Sequence, residues 1–243
     1  MNKLNKFSRA ILAIAMMLVV ALPTLAHDFE VGGIYYNYLD EAAKTVEVTY
    51  KGSSFNSYYE YSGSVIIPSA VTYSGTTYSV TSIGDDAFCD CSLTSVIIPN
   101  SVTSIGSAVF YGCSGLTSVT IGNSVTSIDA WAFYKCEGLT SIEIPNSVIS
   151  IGHSAFSNCT NLTSVTNGNS VVSIDNDAFY NTAWYNNQAE GVIYLGKALY
   201  KYKGTMSDNT SINIKVGTIS ISSDAFKSLP GPHRGRSRER CCL

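Results

Sequence analysis

Apolar positions return along the middle of the chain with a period of 23 residues. Phe88, Phe110, Phe133, Phe156 and Phe179 lie 22, 23, 23 and 23 residues apart. Ile83, Ile105, Ile128, Ile151 and Ile174 keep the same intervals, and Cys91, Cys113, Cys136 and Cys159 run with them for four copies. The unit reads Leu-Thr-Ser-Val-x-Ile-x-x-Ser-Val-x-Ser-Ile-x-x-x-Ala-Phe-x-x-Cys, as in Leu116 to Cys136 and Leu139 to Cys159. Within it, one Ile is followed by another seven residues on and by Phe five further. Ile98/Ile105/Phe110, Ile121/Ile128/Phe133 and Ile144/Ile151/Phe156 fit without adjustment, and Ile214/Ile221/Phe226 gives a further copy. Ile67 and Ile83 form the same pair spread to sixteen residues by an extra segment around Tyr73 to Tyr78. The repeat thus begins near Val65 and resumes after an insertion from about Ala183 to Asp208.

The Leu-x-x-Val-x-Ile stretch alternates at the period of a strand and is rich in β-branched residues. Polar breaks are too frequent, and helix formers too few, for long helices. A 23-residue coil that returns to its start can stack on the next, with strands about 4.8 Å apart. No coil buries its apolar side alone; stacked coils share one core. The pattern therefore predicts a mostly β solenoid with ladders of Leu, Val, Ile, Phe and small buried thiols.

The unit resembles the leucine-rich repeat of the BspA-like (Treponema pallidum type) class. Leu139 to Cys159, with Pro145, Ile151-Gly152 and Ala155-Phe156, carries the resemblance most fully, and it extends over about Val65 to Leu229 apart from the insertion. The segments Asp28 to Tyr36 and Gly191 to Gly196 are similar to stretches that accompany such repeats in Bacteroidetes surface proteins. The resemblance implies a leucine-rich repeat solenoid in a secreted or surface-attached bacterial protein, with adhesion to extracellular matrix or neighbouring cells as the family's implicated role.

The chain divides accordingly into a leader (1–26), a β N-terminal cap (27–62), repeats (63–182), a hairpin insertion (183–208), a further partial repeat (209–229) and an aberrant tail (230–243). The cap carries two strand patterns, Val31 to Leu39 and Thr45 to Tyr50. Nine of the sixteen tyrosines lie between Tyr35 and Tyr78. They serve as cross-strand pairs shielding the first coil, or form an aromatic patch for a glycan or peptide. The insertion reads as a hairpin turning at Gly196-Lys197, expected to project to one side, where it either makes contacts or fills a gap. Two positions break the pattern: Asn167 replaces an apolar strand residue, and Thr182 stands at the Cys position. An inward Asn needs hydrogen-bond partners, so it either caps a weakened rung or turns outward.

Charge changes the picture only at the ends. Lys3, Lys6 and Arg9 precede an apolar run over residues 10–22 that closes on Pro23, Thr24, Leu25 and Ala26. This is the layout of a cleaved export signal, too short for a membrane span. Between His27 and Pro230 there are eight lysines, seventeen acidic residues and no arginine, a balance of nine negative charges, which argues against nucleic acid. Arg234, Arg236, Arg238 and Arg240 then crowd the tail, in a composition foreign to the repeat.

The chain offers little catalytic chemistry. His153 is the one histidine within the repeats, at a variable position expected to be an exposed loop. Asp85-Asp86 and Asp175/Asp177 are scattered loop carboxylates, and no phosphate-binding glycine loop, calcium loop or cofactor motif is present. Cysteines recurring once per coil lack the short paired spacing of zinc sites, and stacked parallel thiols seldom meet the torsion of a disulfide. One surface does repeat. Thr94-Ser95, Thr117-Ser118, Thr140-Ser141 and Thr163-Ser164 occupy one position in successive strands, giving hydroxyl rows that either solvate an exposed sheet or bind a macromolecule. The expectation is a non-enzymatic binding protein for an extracellular or cell-surface protein or glycan, with a spacer role for a larger secreted protein as the alternative.

Overall fold

The computed structural model describes residues 27–52, 60–206 and 211–227. The expected export segment and the arginine-rich tail lie outside the described residues. The chain opens with three antiparallel strands, β1 (Phe29–Val31), β2 (Ile34–Asp40) and β3 (Thr45–Thr49). The predicted single strand from Val31 is interrupted at Gly32-Gly33, whose φ values of 64° and 80° form the tight turn between β1 and β2. Next come β4 (Ser62–Ile66) and a hairpin of β5 (Ala70–Tyr73) with β6 (Thr76–Ile83). That hairpin is the extra segment that spreads Ile67 from Ile83, and it turns at Ser74-Gly75, again with positive φ.

Each repeat then supplies two short strands. One series is β7 (Ser92–Ile97), β9 (Ser118–Thr120), β11 (Ser141–Ile144) and β13 (Ser164–Asn167). The other is β8 (Ser104–Ile105), β10 (Ser127–Ile128), β12 (Ser150–Ile151) and β14 (Ser173–Ile174). Pairing within each series is parallel and in register, so equivalent residues stack: Ile83, Ile105, Ile128, Ile151 and Ile174 form one row, none more than 3% exposed. The second series continues the cap directly, because β3 pairs parallel with β6. The cap is thus the first rung of the main sheet.

Phe88, Phe110, Phe133, Phe156 and Phe179 form the internal column. All are fully buried, neighbouring centroids lie 5.0–5.3 Å apart, and their planes differ by 1° to 18°. Near-parallel rings at that separation are offset, the arrangement their quadrupoles favour. The flanking segments close the column with aromatic rings: Tyr61 lies 4.6 Å from Phe88 at one end, and Trp184 lies 4.8 Å from Phe179 at the other. The short helix α1 (Ala183–Asn186) carries Trp184 there.

Six-residue turns bring the chain back past each Phe. They contain two left-handed residues per coil: Asp86, Ala108, Trp131, Ser154 and Asp177 in one position, and Asp90, Gly112, Lys135, Asn158 and Asn181 in the other. Asp, Asn and Gly tolerate this region best, so the repeat's variable positions are conformationally restricted though chemically varied.

The insertion contains α1, β15 (Gly191–Leu195) and β16 (Ala198–Lys203), and the chain reaches β17 (Ser220–Ile221) after it. The hairpin turns at Gly196, yet β16 does not project. Lys197 N–H donates to Val171 O and Ile219 N–H to Lys197 O, both at 2.8 Å, which sets β16 as a rung between β14 and β17. Leu199, fully buried, sits opposite Ile221 and takes the Ile row's next place.

Candidate functional site

The two breaks in the pattern resolve locally. Asn167 turns outward at φ 61° and its amide donates to Glu143 Oε1 at 2.7 Å. The space its apolar counterparts would fill receives Leu195 from β15, 6% exposed; a Cβ placed on Gly168 would lie 3.3 Å from that Leu and 3.5 Å from Ile144. The insertion therefore fills the gap. Thr182 is fully buried and accepts from Tyr185 N–H at 3.0 Å, capping α1, while its own hydroxyl donates to Phe179 O at 2.9 Å.

The thiols act as bridges between coils. Cys113, Cys136 and Cys159 donate through Sγ to the carbonyls of Phe88, Phe110 and Phe133 of the preceding coil, at 3.0, 3.1 and 3.0 Å. Phe88 O also accepts Cys91 N–H at 3.2 Å, so both its lone pairs are used. Cys89, Cys91, Cys113, Cys136 and Cys159 are all buried. Burial raises the pKa of Cys91, Cys113 and Cys136, and pushes Cys89 up to about 12. A raised pKa removes nucleophilic thiolate, which suits structural rather than reactive sulfur.

The hydroxyl rows lie outward. Thr94, Thr117, Thr140 and Thr163 are all exposed; Ser118 and Ser141 are exposed, and Ser95 and Ser164 partly so. Register places Ser64 opposite Ser95, Ser95 opposite Ser118, and Ser141 opposite Ser164. Several hydroxyls are spent along the stack: Thr117 donates to Thr94 O at 3.0 Å, Thr163 to Thr140 O at 3.1 Å, and Ser95 to Ser64 at 2.7 Å. Those bonds fix the rotamers of Thr117 and Thr163, whose remaining oxygen lone pairs face outward as acceptors. The strand-end residues of the same sheet change character along the stack: Ile66, Ile97 and Thr120 are aligned, with Ile66 67% and Ile97 44% exposed. Neither isoleucine stood out in the sequence, because Ile at that position reads as one more strand former.

His153 is not a free loop residue. It is half-buried, packs edge-on against Trp131 at 5.5 Å, and its Nδ1 lies 2.8 Å from Asn176 Oδ1. Its Nε2 lies 3.2 Å from Ser154 Oγ, in the order of a nucleophile, base and orienting amide. Ser154 is 7% exposed on a left-handed backbone, so the hydroxyl is shielded from an incoming carbonyl. Asn176 continues the chain of contacts to Asp224, which pairs with Lys227 at 3.0 Å. The contacts tie three coils together. Among the described residues no cluster of three or more metal-ligating side chains occurs.

The aromatic residues of the cap are turned on one another. Phe29, 3% exposed, stacks on Tyr73 at 4.4 Å and on Tyr36 at 5.3 Å, while Tyr38 and Tyr78 lie 5.1 Å apart. Tyr61 donates its hydroxyl to Thr49 O at 2.8 Å and receives Tyr35 N–H at 3.0 Å. These contacts close the first coil, and among the described residues from Tyr35 to Tyr78 they leave Tyr73 as the large aromatic most open to solvent; Tyr58 and Tyr59 lie outside the described residues.

Parallel coils with one Phe column, one Ile row and a sheet on each side define a leucine-rich repeat solenoid. The chain belongs to the BspA type leucine rich repeat family, which matches in six copies over residues 81–205. That span runs through β16, in keeping with its place as a rung. Among solved structures the chain is similar to a leucine rich repeat protein of T. pallidum, at 30% identity and a TM-score of 0.53, over 63% of this chain and 66% of that one. It is also similar to a leucine rich cell surface protein of Faecalibacterium prausnitzii A2-165, at 27% identity and a TM-score of 0.50, over 84% and 52% of the respective chains. The pneumococcal vaccine antigen PcpA shares the fold at 21% identity and a TM-score of 0.53. The chain spans less than two thirds of the length of these structures. No curated protein matches it.

Proposed function

We propose that this is a non-enzymatic, exported binding protein that holds a large extracellular or cell-surface protein through the face formed by two neighbouring sheets, β4-β7-β9 and β11-β13. The observation that carries this reading is the exposed, register-matched array of Thr94, Thr117, Thr140 and Thr163 beside Ser64, Ser95, Ser118, Ser141 and Ser164. Its rotamers are partly fixed before a partner arrives, which lowers the entropy lost on binding. Ile66 and Ile97 supply an apolar anchor at one end, where a flat polar face would otherwise lack one. The leader-like residues 1–26 and the likeness to a protein described as a leucine rich cell surface protein support the location.

The test is saturable binding of the full chain to immobilised extracellular matrix proteins. Thr117→Glu with Thr140→Glu is expected to weaken binding, and Ile66→Asp with Ile97→Asp to abolish it, all with unchanged thermal unfolding. A spacer would bind none of the ligands saturably, and that result would defeat the reading.

A further inference from the structure

The last described coil leaves the core open. Ile214, Ile221 and Phe226 stand where other coils place buried side chains, yet Ile214 and Ile221 are each 38% exposed and Phe226 is only half-buried. Ile98, Ile121 and Ile144, the counterparts of Ile214, are 7% exposed or less. Composition widens the opening. The exposed corner two residues after that Ile position is Asn100, Asn123, Asn146 and Asn169 in four earlier coils, but Val216 in this one, 98% exposed. Ile219, just before β17, is 61% exposed. The coil therefore carries an apolar residue at a corner that the others keep polar.

The backbone of that coil is open as well. In earlier coils the strand carbonyls and the turn N–H groups bond onward to the next coil: Ile128 O accepts Gly152 N–H at 2.8 Å, and Phe133 N–H donates to Ala155 O at 2.7 Å. Their counterparts Ile221 O and Phe226 N–H bond to no described residue, and among the described residues β17 pairs with β16 alone. Bare strand edges and apolar ladder ends are what the terminal cap of a solenoid covers. The opposite end has such a cover, since β1, β2 and β3 precede β6 in the main sheet and Tyr61 closes on Phe88.

We infer that this face pairs with the same face of a second copy of the chain about a twofold axis. Inside the chain, these ladders and this hydrogen-bonding edge are buried by another coil of the repeat, so the face continues an interface the fold already uses. The capped first rung cannot receive it, which closes head-to-tail stacking and leaves the face to meet itself, an isologous contact. The hydrogen bonding is self-complementary: a twofold axis passing between β17 and the turn at Phe226 sets the acceptor side of one copy against the donor side of the other. The contact is one coil wide, which places it among weak, concentration-dependent pairs rather than obligate dimers. It uses none of the threonine and serine rows, so it stands or falls apart from the proposed binding face.

The experiment is sedimentation velocity of the full chain from about 1 μM to about 1 mM, the range of weak pairs. A monomer–dimer equilibrium that stops at the dimer is expected. Val216→Asp with Ile219→Asp, both at exposed side chains, should raise the dimer dissociation constant about a hundredfold, roughly tenfold for each apolar side chain no longer buried. Val216→Asn restores the residue that four other coils carry there, keeps the fold intact and should by itself weaken the dimer about tenfold. Thr140→Glu, on the other sheet, should leave the equilibrium unchanged. A chain monomeric throughout, its open face bare or covered by residues 228–243, would overturn the inference. A dimer indifferent to the Val216 and Ile219 variants would overturn it too, as would open-ended oligomers that lengthen with concentration, the mark of head-to-tail stacking.

Discussion

Replacing Phe133 by Ala would place a vacancy at the centre of the ring column. The side chain is fully buried, with the rings of Phe110 and Phe156 each 5.0 Å away. Truncating a buried Phe costs about 3–5 kcal/mol, and the higher part applies where neighbours cannot collapse into the space. Here they cannot move freely, because the backbone fixes the coils: Phe133 N–H donates to Ala155 O and Phe110 N–H to Ala132 O, both at 2.7 Å. Two ring contacts are also lost, each worth roughly 0.5–1.5 kcal/mol within that total. The expected loss is about 4 kcal/mol, a large share of the roughly 5–15 kcal/mol that stabilises a domain. Phe226 provides the internal comparison. It is half-buried, and the ring contact at its position is Tyr202 at 6.4 Å, so Phe226→Ala should cost only about 1 kcal/mol. Urea unfolding followed by circular dichroism separates the two. Phe133→Ala should lower both the midpoint and the slope, because a damaged central interface uncouples the two halves of a one-dimensional stack. Thermal midpoints should fall by about 8–16 °C and 2–4 °C respectively. Equal, small losses for both variants would refute the view that neighbour contacts along the column carry the stability.

Three other outcomes follow from local geometry. Ala108 sits at φ 52°, where Gly is free of the Cβ penalty, so Ala108→Gly should raise stability by about 0.5–1 kcal/mol in the same urea assay, against the usual cost of glycine. Consensus would place Ile at Asn167, but a β-branched residue is strained at φ 61° and Leu195 already fills the slot; Asn167→Ile should destabilise by about 1–2 kcal/mol, read by thermal unfolding. Cys89 and Tyr36 have pKa values raised by burial to about 12, from 9.0 and 10.0, so the stability they favour is complete below about pH 9 and is lost as pH rises toward 12. A denaturant midpoint that holds steady from pH 8 to 9 and falls above it is expected, with Cys89 alkylated about a thousandfold more slowly than an unfolded thiol at pH 8.

The period of 23 was enough to determine the stacking of coils, because an amphipathic unit with no helix of its own can bury its apolar side only against its copies. It placed Phe88, Phe110, Phe133, Phe156 and Phe179 in one column and Cys113, Cys136 and Cys159 beside it, since equivalent residues in a register-true solenoid share one environment. It also drew the threonine and serine rows of one sheet. What the period could not reach were contacts between unlike segments. The closure of the column by Tyr61 and Trp184, the use of β16 as a rung and the seating of Leu195 opposite Asn167 depend on how the cap and the insertion fold back, and no spacing encodes that. The same limit applies to Glu47 and Asp85, which occupy unrelated positions in sequence and come near each other only through the pairing of β3 with β6, whereas Asp129 and Asp175 lie two periods apart. Repetition determined the ladders, buried and exposed, where like meets like; tertiary structure decided the closures, where residues with no common pattern meet.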